Sequence, residues 1–324
     1  MVTYGFEIDD VAAIRFAVSP IHELVNSLRT FRDRPTATMH VPWLRRISGR
    51  IDGAALRPMI ALVVPRGYTP DFLTPPPARP SATIDEELDV LSATPGDQVV
   101  HDIRNAQAQM HHDGAIIEPW LRDPPVALAR AVDVLRQYWE DALAGVWQHV
   151  HGLLEADIAY RAGQVANGGL SATVSDLHET ARWDGHHLVV DTLRTETCEL
   201  AGRGLLLMPS AFASIRASAI TRAPWQPTVV YPARGVSTLW ESPAQQSRRG
   251  ALGRVIGDAR ARLLTELDVP RSSTDLAKRT GLSPASVSEH LAALRDAGLV
   301  SSHRSGRYVL QTRTPRAEQL LSSE

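Results

Sequence analysis

The chain has 324 residues, of which 44% are hydrophobic, and its formal net charge at pH 7 is −2. It lacks an apolar run of about 18 residues and an N-terminal signal pattern, which argues against a membrane span and against export. Its one cysteine, Cys198, excludes an intrachain disulfide and suits a reducing cytoplasm.

Charge is distributed unevenly along the chain. From Gln245 onward there are 13 Arg and Lys against 8 Asp and Glu, a net charge of +5, while the preceding residues have 21 against 28, a net charge of −7. Segment charges of this size also arise by chance, so the basic C-terminal part gains meaning only together with a nucleic-acid-binding motif.

The first part of the chain predicts short elements and then mostly helices. A strand is expected over 3–8, followed by a helical stretch in which Ser19 caps a helix that starts at Pro20. Residues 65–80 hold six prolines and are expected to form a surface connector. Helices are predicted over 40–50, 54–63, 84–91, 97–110, 124–161 and 170–183.

The pattern changes after Asp184-Gly185, where short runs rich in β-branched and apolar residues predict one small antiparallel sheet. The predicted strands are 188–190, 198–201, 205–208 and 228–231, with a short helix or loop at 212–220. The polar stretch 235–249 is interpreted as a linker. The predicted fold class is therefore α+β: a mostly helical N-terminal domain with a small antiparallel sheet over 1–245, and a second domain over 246–324.

The second domain has the pattern of a winged helix-turn-helix. An amphipathic helix over 252–267 precedes a capping box formed by Ser272 and Asp275, and Gly281 is expected to end the helix that follows. Ser283 then caps a second helix with Pro284 at its first position, and its buried stripe is predicted to contain Val287, Leu291 and Leu294. A hairpin of strands 300–303 and 307–311 and a terminal helix over 315–321 complete the domain.

The exposed face of the second helix and the hairpin tip contain the candidate DNA-binding residues, because the leading end of a recognition helix enters the major groove and a wing lies along the backbone. They are Ser283, Ala285, Ser286, Ser288, Glu289, His290, Arg295, His303, Arg304 and Arg307. For four of these an alternative stays open. Ser286 and Ser288 could be ordinary surface serines, Glu289 could be solvated rather than paired with a cytosine amine, and His290 could be packed rather than bound to a phosphate.

The run SPASVSEHLAALRDAGLV, residues 283–300, resembles the ArsR family of winged-helix transcriptional regulators. The matching positions follow a Ser-x-His-Leu and Leu-x-x-Ala-Gly-Leu-Val spacing and are Ser288, His290, Leu291, Leu294, Ala297, Gly298, Leu299 and Val300. The resemblance implies DNA binding as a homodimer, with repression as the family's default. At the place of that family's thiolate-rich metalloid site stands 272–276 without cysteine, which argues against arsenic or zinc sensing.

A second resemblance covers the N-terminal part. The Ser19-Pro20 entry together with 204–212 and 231–235 is similar to the domain of unknown function that precedes an ArsR-type winged helix in actinobacterial regulators. It implies no established activity.

Residues that could support catalysis or metal binding are present but do not converge. The histidine pairs His111-His112, His149-x-His151 and His186-His187 are spaced so that their side chains point apart. Cys198 is predicted to be a buried, inert thiol, and neither Ser210 nor Ser214 lies in a nucleophile elbow. The sequence therefore predicts a non-enzyme with no cofactor and no metal.

The tryptophans, concentrated in the N-terminal part, are expected to pack the core or, alternatively, to line an apolar effector pocket.

These observations predict a cytoplasmic, nucleoid-associated regulator that binds a pseudo-palindromic operator as a dimer. Two alternatives remain: the N-terminal domain could be a small-molecule receptor with DNA binding as its output, or the winged helix could be a protein-interaction module.

Overall fold

The computed structural model divides into two compact units, Met1–Ala233 and Arg234–Glu324, which are described separately. The boundary predicted from the sequence lies twelve residues later, after residue 245. The structure describes residues 1–64, 67–109, 114–178, 180–192, 194–213, 216–240, 243–267, 270–280, 282–305 and 308–322.

Ten α-helices are described in the first unit. They are α1 Ile8–Ala12, α2 Pro20–Ser27, α3 Arg34–Met39, α4 Val41–Ile47, α5 Gly53–Leu62, α6 Ile84–Ser92, α7 Gly96–Gln109, α8 Gly114–Arg122, α9 Pro124–Ala142 and α10 Trp147–Ser175. The predicted start of α2 is confirmed, because the Ser19 hydroxyl accepts a hydrogen bond from the His22 amide at 3.2 Å and Pro20 is the first helical residue.

Two helix predictions in this unit are wrong. The helix expected over 124–161 is divided by a 3-10 turn at Ala144–Val146 into α9 and α10. The helix expected over 170–183 begins where predicted, because Gly169 has φ 74° and ψ 174° and interrupts α10 there, but it is too long in the prediction, since α10 ends at Ser175 and Trp183 lies in a strand. Helix α8 is absent from the prediction, since Pro119 in its interior is typical of a helix end.

Two four-stranded sheets are described in the first unit. The strands are β1 Val2–Gly5, β2 Arg15–Phe16, β3 Ala181–Trp183, β4 His187–Val190, β5 Glu196–Glu199, β6 Leu206–Ser210, β7 Ser218–Ile220 and β8 Thr228–Pro232. One sheet has the order β3-β4-β1-β5 and the other β2-β6-β8-β7.

The prediction of one small antiparallel sheet is therefore wrong, although the α+β class is confirmed. Strand β1 is antiparallel to β4 but parallel to β5, and β6 is parallel to both β2 and β8. Two of the three parallel pairs, β1–β5 and β2–β6, arise because strands from the first sixteen residues insert between or beside strands that lie far later in the chain, a pairing that local hairpin signals do not encode.

The core of the first unit lies between these sheets and the end of α10. Val2, Tyr4, Val190, Leu207 and Tyr231 are completely buried in it. Helix α2 is buried along its whole length, polar residues included, so it lies inside the unit rather than on its surface.

Five helices and a three-stranded sheet are described in the second unit. Its elements are α11 Pro243–Ile256, α12 Asp258–Glu266, β9 Arg271–Ser272, α13 Ser273–Thr280, α14 Pro284–Asp296, β10 Val300–Ser305, β11 Tyr308–Arg313 and α15 Pro315–Ser322. The strand order is β10-β11-β9, so the predicted wing hairpin has a third strand that the sequence does not reveal.

Two predictions at the start of this unit are wrong. Residues 243–249 of the expected linker belong to α11, and the single helix expected over 252–267 is interrupted at Gly257. Gly257 has φ 90° and ψ 141°, a conformation that only glycine adopts without strain, so the chain turns there between α11 and α12.

Candidate nucleic-acid interface

Helix α14 occupies the place of a recognition helix, and its first turn is fixed by a serine cap. The Ser283 hydroxyl accepts the Ser286 amide at 3.1 Å and donates to the Ser286 hydroxyl at 2.9 Å. Pro284 follows at the first helical position, where an amide hydrogen is not required. The predicted cap is confirmed. It lies at the N-terminal end of α14, which is the positive end of the helix dipole.

The buried face of α14 holds the helix in the unit. Val287, Leu291 and Leu294 are at most 1% exposed and pack with α12 and α13 in one apolar cluster. The predicted stripe is therefore confirmed. Ser283, Ala285, Ser288 and Glu289 are exposed, whereas Ser286 and His290 are half-buried. The side chains predicted to approach base edges thus include four that solvent reaches.

Helix α13 precedes this helix as the first half of the helix-turn-helix. The Ser272 hydroxyl accepts the Asp275 amide at 3.2 Å, which is one of the two hydrogen bonds of the predicted capping box, and the Asp275 carboxylate accepts from Arg271 at 3.3 Å. Leu276 and Ala277 are buried in the shared core. Gly281, predicted to end this helix, lies outside the described residues.

The wing, which is the hairpin of β10 and β11, forms a second exposed surface in the same unit. In the hairpin, Val300 pairs with Arg313 and Ser305 with Tyr308. On β10, Ser301, Ser302, His303 and Arg304 are exposed, so both described wing candidates, His303 and Arg304, are accessible to a ligand. Arg307 lies outside the described residues.

Arg295 lies at the other end of α14 and has a partner within the protein. Its side chain is exposed, and its Nη1 donates to Oε1 of Gln311 on β11 at 3.4 Å. The same oxygen accepts from the Ser302 hydroxyl at 2.6 Å, although Gln311 itself is only 2% exposed. Sequence reasoning does not find Gln311, because a lone polar residue in a strand pattern gives no signal of what it contacts.

For His290 the sequence allows either packing or a phosphate contact. Its side chain is half-buried, and its Nδ1 atom is buried without a hydrogen-bond partner among the described residues. This burial favours packing for the Nδ1 side of the ring.

Several of the arginines that make this unit basic are used inside it. Arg313 donates to the carbonyls of Leu264 and Thr265, both at 2.6 Å, and Arg279 pairs with the buried Glu266 at 2.5 Å. Arg313 thereby caps the end of α12, and Arg279 neutralises a carboxylate in its last turn. The net charge of the segment is therefore larger than the charge that its exposed side chains present to a ligand. The exposure of each side chain is a better guide than net charge to the residues that a ligand can contact.

The first unit buries titratable groups around α2. One Glu23 carboxylate oxygen accepts the amides of Ala211 at 2.9 Å and Phe212 at 3.3 Å, and burial raises the Glu23 pKa to about 7. The Glu87 carboxylate accepts the Ile21 amide at 2.7 Å, and burial likewise raises its pKa to about 7. Burial lowers the pKa of His22 to about 3, with a contribution from Arg29.

Three of the six tryptophans of this unit are buried core residues. Trp43 is fully buried, donates to the Ala142 carbonyl at 2.8 Å and lies 4.9 Å from the Phe212 ring. Trp120 and Trp139 are at most 7% exposed. These contacts favour the packing interpretation of the tryptophans over a pocket lining.

The described part of the chain contains no group of three or more His, Cys, Asp or Glu side chains placed to hold a metal ion. Among the same residues there is no helix long and apolar enough to cross a membrane. Cys198 is buried, its thiol lies 3.6 Å from the Thr221 carbonyl, and burial raises its pKa. His111 and His112 lie outside the described residues.

Comparison with known families gives two matches. Residues 258–303, from α12 to the first half of β10, match a helix-turn-helix domain. Residues 101–237 match a family of unknown function, DUF5937, over less than half of the chain. No curated protein and no solved structure matches the chain significantly.

The C-terminal unit thus contains a helix-turn-helix domain, and the match supports a DNA-binding transcription regulator. The N-terminal match is to a family without an assigned activity and adds no function.

Proposed function

We propose that this protein is a sequence-specific, dimeric transcriptional regulator of the ArsR type that binds DNA through α14 and the wing. The main support is the exposure of Ser283, Ala285, Ser288 and Glu289 at the leading end of a helix whose opposite face is locked into the core. Because these side chains are short, the backbone of α14 can come close to base edges.

The proposed operator is a pseudo-palindrome. Two copies of α14 in a two-fold dimer would occupy successive major grooves about 34 Å apart, so each half-site is read by one protomer. Arg304 and His303 on each wing would contact the backbone or minor groove beside the half-site. Repression by blocking polymerase is the proposed outcome, and the protein acts in the cytoplasm on the nucleoid.

A gel shift with DNA from upstream of the protein's own operon, followed by genome-wide binding, tests this proposal. We expect retardation of a discrete fragment and binding peaks that share an inverted repeat. Binding that is equally strong to every duplex of the same length would contradict sequence specificity. Absence of any DNA binding would favour the alternative of a protein-interaction module.

A second candidate function adds a small-molecule effector to the first. The buried α2 carries His22, whose Nδ1 atom is buried without a hydrogen-bond partner among the described residues, and such an atom is costly to bury unless a further group pairs with it. A thermal-shift screen of the whole chain, repeated with operator DNA present, tests it. A ligand that raises the melting temperature and changes DNA affinity would establish sensing, and a ligand without effect on DNA would not.

A further inference from the structure

Gln311 joins the two parts of the proposed DNA-binding surface. Its backbone belongs to β11, the central strand of the wing sheet, where it pairs with Ser302 on one side and Arg271 on the other. Its side-chain oxygen accepts from Ser302 on β10 at 2.6 Å and from Arg295 on α14 at 3.4 Å. One atom therefore connects the wing to the last turn of the helix.

The chemistry of the three groups defines this arrangement. An arginine can only donate hydrogen bonds, so the atom of Gln311 that faces Arg295 is its carbonyl oxygen. That oxygen has two lone pairs, and the two donors use both of them. The three side chains, Arg295, Gln311 and Ser302, are called the brace below.

The brace controls geometry more than stability. Gln311 is 2% exposed, so its amide would be costly to bury without partners, while Arg295 and Ser302 are exposed and can be hydrated when it is removed. An apolar residue of similar size at 311 should thus preserve the free energy of unfolding. It would remove the hydrogen bonds from Arg295 and Ser302 to Gln311, while the apolar contacts between α14 and the start of β10 remain.

A small change in the angle of α14 at Arg295 produces a larger displacement at the N-terminal end of the helix, which is the end proposed to read bases. Ser286 and Arg295 are nine residues apart on α14, or about 14 Å along the axis, so a tilt of about 10° at Arg295 shifts Ser286 by about 2 Å. A shift of that size breaks a hydrogen bond to a base edge.

We infer that Gln311 is a positioning residue for DNA recognition, and that Arg295 acts through Gln311 rather than on the DNA. This inference rests on the proposed function. It changes the role that the sequence predicts for Arg295, which is a direct DNA contact.

The test compares Gln311→Met, Arg295→Met and the double variant in the full-length protein. The probes are the duplex that the wild-type protein selects from a random-sequence pool and a scrambled duplex of the same composition. Each single variant should lose roughly tenfold in affinity for the selected duplex with little change on the scrambled one, and the double variant should lose no more than either. The melting temperature of each should stay within about 3 °C of wild type.

Two further variants separate positioning from general destabilisation. Gln311→Glu keeps an acceptor facing both donors and should keep the wild-type ratio of selected to scrambled affinity. Ser302→Ala removes the side-chain hydrogen bond between the two strands of the wing but leaves the one from Arg295 to Gln311, so it should lower that ratio less than Arg295→Met does. A lower ratio of selected to scrambled affinity together with an unchanged melting temperature would indicate positioning. A purely structural role would lower the melting temperature as well.

Four results would overturn the inference. Additive losses in the double variant, or a loss on the scrambled duplex for Arg295→Met with a decrease of about 0.9 in the salt slope, would show that Arg295 contacts phosphate itself. A wild-type affinity ratio in Gln311→Met would show that the brace is dispensable. If the wild-type protein selects no sequence from the pool, the proposed function fails and the inference fails with it.

Discussion

Arg304 is the residue that most directly tests the wing. It is exposed on β10, the strand that leads to the tip of the hairpin. Arg304→Ala should weaken binding to all duplexes alike and lower the salt slope by about 0.9 for each phosphate that the variant no longer neutralises. Affinity measured across a series of salt concentrations checks this.

The matched control is Arg130→Ala, which removes an exposed arginine from α9 in the other unit. It should leave both affinity and slope unchanged. An unchanged slope in Arg304→Ala would exclude the wing arginine as a phosphate ligand.

Ser288 tests base reading rather than backbone binding. It is exposed on α14 and takes no part in the cap formed by Ser283 and Ser286. Ser288→Ala should therefore leave the melting temperature unchanged but alter which duplex is selected from a random pool. Selection of the wild-type sequence by this variant would make Ser288 an ordinary surface serine.

Ser283→Ala, by contrast, removes the cap and should cost about 1 kcal/mol of stability.

Individual residues of the candidate site differ in how well a sequence can reveal them. The Ser283 cap, Pro284 and the stripe at Val287, Leu291 and Leu294 follow from local chemistry and helical period, and the structure confirms them. The partner of Arg295 could not be predicted, because Gln311 is sixteen residues away and its hydrogen bond depends on the packing of a strand against a helix.

At the scale of elements, the junction at Gly257 makes a specific prediction. Gly257→Ala introduces a side chain where φ is 90°, so it should destabilise the protein by about 1–3 kcal/mol although nothing lies within 4 Å of the added atom. Gly250→Ala is the matched control, because Gly250 lies inside α11 with equally open surroundings and should stabilise by about 1 kcal/mol.

Chemical denaturation of both variants gives the comparison. If both substitutions stabilise equally, the turn between α11 and α12 is not imposed by the glycine.

Elements are predictable where their signals are local, and not otherwise. The caps of α2 and α14 can be read from the sequence because Ser-Pro marks a helix start. The turn at Gly257 escapes prediction because the apolar period runs through it from Leu252 to Leu264. The parallel pairs β1–β5 and β2–β6 escape it because their partners are distant in sequence, and no local rule specifies a partner across such a distance.

At the scale of the molecule, buried carboxylates predict an unusual pH dependence of stability. The folded-state pKa of Glu23 is about 7 against an ordinary value of 4.5, so the folded protein holds this proton more tightly than the unfolded chain does. The resulting stabilisation is complete below pH 4.5 and is lost as the pH rises to about 7. For one fully buried carboxyl group, a pKa of about 7 in the folded protein against 4.5 in the unfolded chain corresponds to about 3 kcal/mol in the free energy of unfolding.

Glu23→Gln isolates this contribution, because glutamine keeps a neutral acceptor for the Ala211 and Phe212 amides. The free energy of unfolding of the wild type, relative to this variant, should fall between pH 5 and pH 8. His22, whose pKa is lowered, opposes this trend below pH 6.5 in both proteins and therefore cancels in the comparison. The exposed Glu140→Gln is the control and should show no such difference, whereas equal pH dependence of wild type and Glu23→Gln would exclude a neutral buried Glu23.

The position of β1 in the middle of its sheet constrains how the protein is made. Residues 2–5 pair on both sides with strands that follow them by about 190 residues, so on the ribosome the first strand waits without partners for roughly 10–40 s at ordinary elongation rates. During that time its unpaired edges are available for pairing with other chains, and the sheet can close only after β4 and β5 have been made. The helix-turn-helix is synthesised only afterwards, so DNA binding becomes available once the sheet that precedes it can close.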